Sequence, residues 1–117
     1  MNIRPSIAVM ALASLVGCAS DPAPTEQLKL TEQALEQARA VGATDEQPEL
    51  QTAESKLAQA RADMADEAFK AARMKAEQAE LDARLAEARF LSLKGQAQEE
   101  QLTTRLNRLR KQLGDAK

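Results

Sequence analysis

Residues 41–50 read Val-Gly-Ala-Thr-Asp-Glu-Gln-Pro-Glu-Leu, and this stretch decides the fold. Gly42 accepts the left-handed backbone that closes a helix at its C′ position. Pro48 has no N–H to lose at a first helical position, and Glu49 beside it suits the positive end of a helix. The link between them, Ala43-Thr44-Asp45-Glu46-Gln47, is too short to join anything but antiparallel neighbours, so an αα-hairpin is expected. Upstream, Pro22 and Pro24 stop a helix from starting earlier, and Thr25 is placed to cap one. The first helix then runs from about Thr25 to Val41. Leu28, Leu35, Ala38 and Val41 fall near one face, which Leu30 and Ala34 widen.

Downstream, a heptad with Leu50 at position a runs to Leu113 without insertion or skip. Its a and d positions include Ala53, Leu57, Ala60, Met64, Met74, Leu81, Leu85, Leu102, Leu106 and Leu109. The exceptions are Glu67, Gln78, Ser92, Gly95 and Glu99. The expected fold is therefore all-α, a hairpin whose very long second helix has coiled-coil character. Three exceptions cluster around Gly95, which marks a hinge, a weakly packed stretch or a break into a third helix. Unbroken, the second helix would be about 100 Å long. The first helix could cover only its beginning. Self-association or a partner helix would cover the rest, and Phe69 and Phe90, both off the seam, hint at a second apolar surface. The alanines at core positions bury little area each, so the seam is shallow.

The N-terminus has a different character. Arg4 precedes a short apolar run, Ile7 to Val16, whose ten residues would rise only about 15 Å as a helix, half of a bilayer core. The run ends Leu15-Val16-Gly17-Cys18. This arrangement resembles a bacterial lipobox. The resemblance implies cleavage between Gly17 and Cys18, with acyl chains on the Cys18 thiol and on the new amino group. Ala19, where Asp would retain a lipoprotein at the inner membrane, implies the periplasmic face of the outer membrane. The expected organisation is a signal peptide over 1–17, an acylated tether over 18–24, a helical domain over 25–113 and a flexible tail over 114–117.

Composition narrows the function classes. The chain has 117 residues, 16 basic and 18 acidic, with no His, Trp or Tyr and one Cys. Of its 51 apolar residues, 24 are Ala. A zinc site or His-based triad has no residues to use, and no cofactor or metal is expected. There is neither the basic excess nor the aromatic platform of a nucleic-acid binder. Ser20, Ser55 and Ser92 have no His to activate them, so no catalytic residue and no enzyme activity is expected.

Gly42-Ala43, Pro48-Glu49-Leu50, Ala53, Lys56-Leu57, Ala60, Ala76-Glu77-Gln78-Ala79, Asp82-Ala83 and Leu85-Ala86 together resemble the domain of unknown function 4398 family of small helical bacterial envelope proteins. The resemblance covers residues 42–90, with Gln47 a departure where a small residue would precede the proline. It implies an envelope location and a non-enzymatic role. The acylated, Ala-rich helical architecture is also similar to the major murein lipoprotein family, whose C-terminal Lys is joined to peptidoglycan. That similarity directs attention to Lys117 at the end of Gly114-Asp115-Ala116-Lys117. Residues 25–93 carry nine basic and 14 acidic side chains, whereas residues 94–117 carry six and three. Arg105, Arg108, Arg110 and Lys111, with Lys117, are thus the candidate contacts to peptidoglycan or to an acidic partner. A solvated helix end with charge suited to the dipole is the plainer reading.

Overall fold

The structure is a computed structural model that describes residues 21–116. The expected signal peptide, the lipobox residues Gly17 and Cys18, and Lys117 lie outside the described residues. Three helices follow one another: α1, Thr25–Val41; α2, Pro48–Ala65; and α3, Phe69–Asp115. Thr25 is the first helical residue rather than the cap, which falls on Pro24.

Helix α1 closes as its sequence requires. Gly42 adopts φ 115°. Its N–H donates to the Arg39 carbonyl (3.0 Å) and the Ala43 N–H to the Ala38 carbonyl (2.9 Å). These two bonds form the Schellman motif, and the apolar pair that accompanies it is the buried Ala38 and Ala43. Pro48 then opens α2.

The expected second helix is interrupted, but at Asp66-Glu67-Ala68 and not near Gly95, through which α3 is continuous. The interruption repeats the first motif bond for bond. The Glu67 N–H donates to the Met64 carbonyl (3.2 Å) and the Ala68 N–H to the Asp63 carbonyl (2.8 Å). Glu67 takes the left-handed position, φ 60°. A left-handed non-glycine residue costs roughly 1–2 kcal/mol, a cost the packing of the two helices offsets. The turn also separates Asp66 from Lys70, which a continuous helix would hold as an i,i+4 pair.

Cross-helix pairs give the topology. Arg39 meets Glu54, and Arg61 meets Glu32 at 2.6 Å, so α1 and α2 are antiparallel. Lys75 meets Asp63 at 2.8 Å, Lys56 meets Asp82 at 2.7 Å and Arg89 meets Glu49, so α3 returns antiparallel along α2. Gln27 donates to Glu80 (2.7 Å) and Gln37 to Glu87 (2.9 Å), which sets α1 parallel to α3. The result is a three-helix bundle from which the second half of α3 runs on alone. Every described residue from Leu91 onward is exposed. At 47 residues, α3 is about 70 Å long, and its free half accounts for somewhat more than half of that.

The core explains why α3 turns the face it does. Leu35 from α1 and Leu50 and Leu57 from α2 supply the bulk. Phe90 of α3 packs partly buried against this core, and the side chains that α3 buries completely are all small: Ala72, Ala76, Ala79, Ala83 and Ala86. Their steps of four and three keep heptad spacing, but on the face opposite Met74, Leu81 and Leu85. Those three are 52%, 66% and 53% exposed. Helix α3 packs on two helices at once, and an alanine stripe lets both backbones approach closely. The seam of the sequence reading therefore holds in α2, with Leu50, Ala53, Leu57 and Ala60 buried, and is replaced in α3 by its opposite face.

Candidate interaction surface

The residues that α3 leaves outside form a continuous pattern. Met74, Leu81 and Leu85 lie on the bundle portion, and Leu102, Leu106, Leu109 and Leu113 continue the same register along the free portion. The last four are 59%, 53%, 54% and 72% exposed. Such a run of large apolar side chains at coiled-coil spacing, with no partner among the described residues, makes this face the candidate interaction surface. Ser92, Gly95 and Glu99 interrupt it midway. Gly95 itself sits in open space, with nothing within 4 Å of where a side chain would be. It is a gap in the apolar seam, and α3 runs through it unbroken.

The candidate basic residues lie on this free portion and are all exposed. They do not form one patch. At about 100° per residue, Arg105, Arg108 and Lys111 spread across one side of the helix, while Arg110 projects from another. Arg105 and Arg110 flank the leucine seam on its two edges. None of the four has an ion-pair partner among the described residues, whereas Lys75, Arg84 and Arg89 of the bundle portion each have one.

At the other end of the bundle lies the chain ahead of α1. Arg73 donates to the Pro22 carbonyl (3.4 Å), which ties the chain ahead of α1 to the first turns of α3. Asp21 lines a shallow hollow with Phe69, Lys70, Ala71 and Met74, beside the α2–α3 turn. No described helix is long and apolar enough to cross a membrane.

Among the described residues two carboxylates are perturbed, both at helix contacts. Glu80 is held below the ordinary glutamate range first by the amide of Gln27 and then by Arg84, whose guanidinium lies at 2.5 Å. Glu49 is lowered first by its own backbone N–H at the start of α2, against some desolvation, and then by Arg89. Both fasten helices together. They do not converge on a common point where a substrate could sit.

Two contacts escaped the sequence reading. Thr31 is fully buried, its hydroxyl 2.9 Å from the carbonyl oxygens of both Gln27 and Ala76, sharing one proton between α1 and α3. A lone Thr in a polar-looking helix gives no signal of this. Phe90 packs over Gly42, so close that a Cβ there would meet its ring at 2.6 Å. Its place four residues beyond Ala86, on the alanine stripe, was the available sign.

Comparison with known proteins gives a consistent picture. The DUF4398 family model, a domain of unknown function, matches residues 26–102. A crystal structure of a DUF4398 family protein from Pseudomonas aeruginosa superposes with a TM-score of 0.79 at 57% sequence identity. The match covers 82% of this chain and 100% of that one. No curated protein matches.

Proposed function

The chain belongs to the DUF4398 family, and from that premise we propose that it is a non-catalytic interaction rod, lipid-anchored through Cys18 at the periplasmic face of the bacterial outer membrane. The observation that carries the reading is the polarity of the molecule. The tether reaches the bundle at the end where α2 turns into α3, and the free half of α3 points away from it. Acyl chains on Cys18 would fix the first end. The exposed seam would then stand tens of ångströms from the membrane, where it meets its partner. Several buried acyl chains, at about 0.8 kcal/mol per CH2, make such an anchor lasting. The mechanism is geometric: the bundle sets the direction and α3 sets the reach.

Growth with an alkyne-bearing fatty acid, followed by membrane fractionation, tests this. The wild-type chain should carry the label and sediment with the outer membrane, and Cys18→Ala should lose both. An unlabelled wild-type chain, or one recovered in the soluble fraction, overturns the anchor.

A second reading has its own observation, the exposed basic residues Arg105, Arg108, Arg110 and Lys111 at the far end of the rod. There they would meet peptidoglycan, either as an adaptor or with Lys117 as a covalent tether. Sacculi boiled in SDS and digested with lysozyme distinguish the two. Retention that depends on Lys117 marks the tether, and release by boiling removes it.

A further inference from the structure

We infer that the free half of α3 pairs with a different protein, through an amphipathic helix whose apolar seam is flanked by acidic residues. The inference takes the chain to be an interaction rod, as proposed above, but needs nothing of Cys18. It starts from Leu102, Leu106, Leu109 and Leu113, which repeat at four, three and four residues and are each more than half exposed. A seam of this kind is completed by a second helix, and the residues on its edges choose which one.

On the free half of α3 those edges are basic or neutral. Arg105 stands at g and Arg110 at e, and the other edge positions there are Leu91, Gln96, Gln98, Thr103 and Gln112. A second copy is a poor occupant. In a parallel pair, the g position of one helix faces the e position of the next heptad in its mate. Arg105 would face Arg110, and further back Arg84 would face Arg89, Lys70 would face Lys75 and Glu77 would face Asp82. Every charged edge pair is of like sign. An antiparallel pair over the same leucines brings together two segments that each carry a basic surplus, six against three over residues 94–117. Like charges juxtaposed across an interface reject a partner as surely as opposite charges recruit one. Carboxylates on the partner's edges would instead meet Arg105 and Arg110, which have no ion pairs among the described residues.

The test uses the full-length chain carrying Cys18→Ser, in mild detergent, and two synthetic peptides of about four heptads. Both have Leu at a and d; one has Glu at every e and g position, the other Lys. Fluorescence anisotropy at low salt should show saturable binding of the Glu peptide, about tenfold or more tighter than the Lys peptide. The double variant Leu106→Asp, Leu109→Asp should abolish binding with the bundle's helicity intact, since both side chains are exposed. The pair Arg105→Glu, Arg110→Glu should reverse the preference between peptides. Equal affinity for both peptides, binding that survives loss of the leucines, or a chain that sediments as a dimer with its seam occupied overturns the inference. None of these outcomes touches fatty-acid labelling of Cys18, so the two readings fail separately.

Discussion

Glu67→Gly discriminates, by its sign alone, between a chain that doubles back after Ala65 and one that continues as a single rod. In the structure Glu67 is left-handed at φ 60°, with its N–H bonded back to Met64. Relief of that conformation should return roughly 1–2 kcal/mol, because only glycine adopts it without a Cβ clash. Glycine's extra freedom in the unfolded chain takes back about 0.5–1 kcal/mol. Glu67 is exposed and makes no side-chain hydrogen bond or ion pair among the described residues, so little else is lost. The net expectation is a stabilisation of about 0.5–1 kcal/mol. At about 4–8 °C per kcal/mol for a domain of this size, Tm should rise by about 2–8 °C. Thermal unfolding followed by circular dichroism at 222 nm reads it, with urea unfolding as a check on the slope. Were residues 48–113 one helix, the same glycine would sit in a helix interior and cost about 1 kcal/mol. A fall in Tm would therefore refute the turn.

Other perturbations probe the remaining contacts. Gly42→Ala should destabilise by at least about 1–2 kcal/mol, from a Cβ in the left-handed region that also displaces the Phe90 ring. Gly95→Ala should instead add helical signal, since glycine costs about 1 kcal/mol against alanine in an open helix. Ala79→Leu should cost about 1–3 kcal/mol in urea unfolding by overfilling a position with no exposure. The Glu80 carboxyl titrates lower in the folded chain than in the unfolded one, so its contribution is complete above about pH 4.3 and is lost as pH falls through the lower folded value. Gln27→Ala removes the main cause, and unfolding measured across that acid range should show a shallower loss of stability than in the wild-type chain.

How far the fold could be read in advance depended on which residues carried the turns. The first turn was legible because Gly42 and Pro48 are the residues such a turn asks for, and α1 and the start of α2 fall where they indicate. The second turn uses the same backbone motif with glutamate at the left-handed position. Glutamate is a good helix former, so nothing in its chemistry announced a reversal there. The face of α3 was ambiguous for a related reason. Its leucines and its alanines both keep heptad spacing on opposite sides of one helix, and periodicity does not say which side is inside. Packing against two helices decided for the alanines, because Leu35, Leu50 and Leu57 already supply the bulk. The leucines that looked like core became the candidate surface. Conversely, Phe90, which looked like a second surface, packs against the core cluster.

A lipid-anchored rod requires the chain ahead of α1 and the exposed seam to lie at opposite ends of the molecule. With Cys18→Ser, spin labels at Ala23→Cys and Asn107→Cys report that separation by electron–electron resonance. Asn107 lies off the leucine seam, and Ala23 adjoins Pro22, which contacts Arg73. The 34 residues of α3 from Arg73 to Asn107 predict a separation of about 50 Å with a narrow distribution. A distance under about 30 Å would place the free half of α3 back along the bundle, cover the seam from within, and contradict the rod.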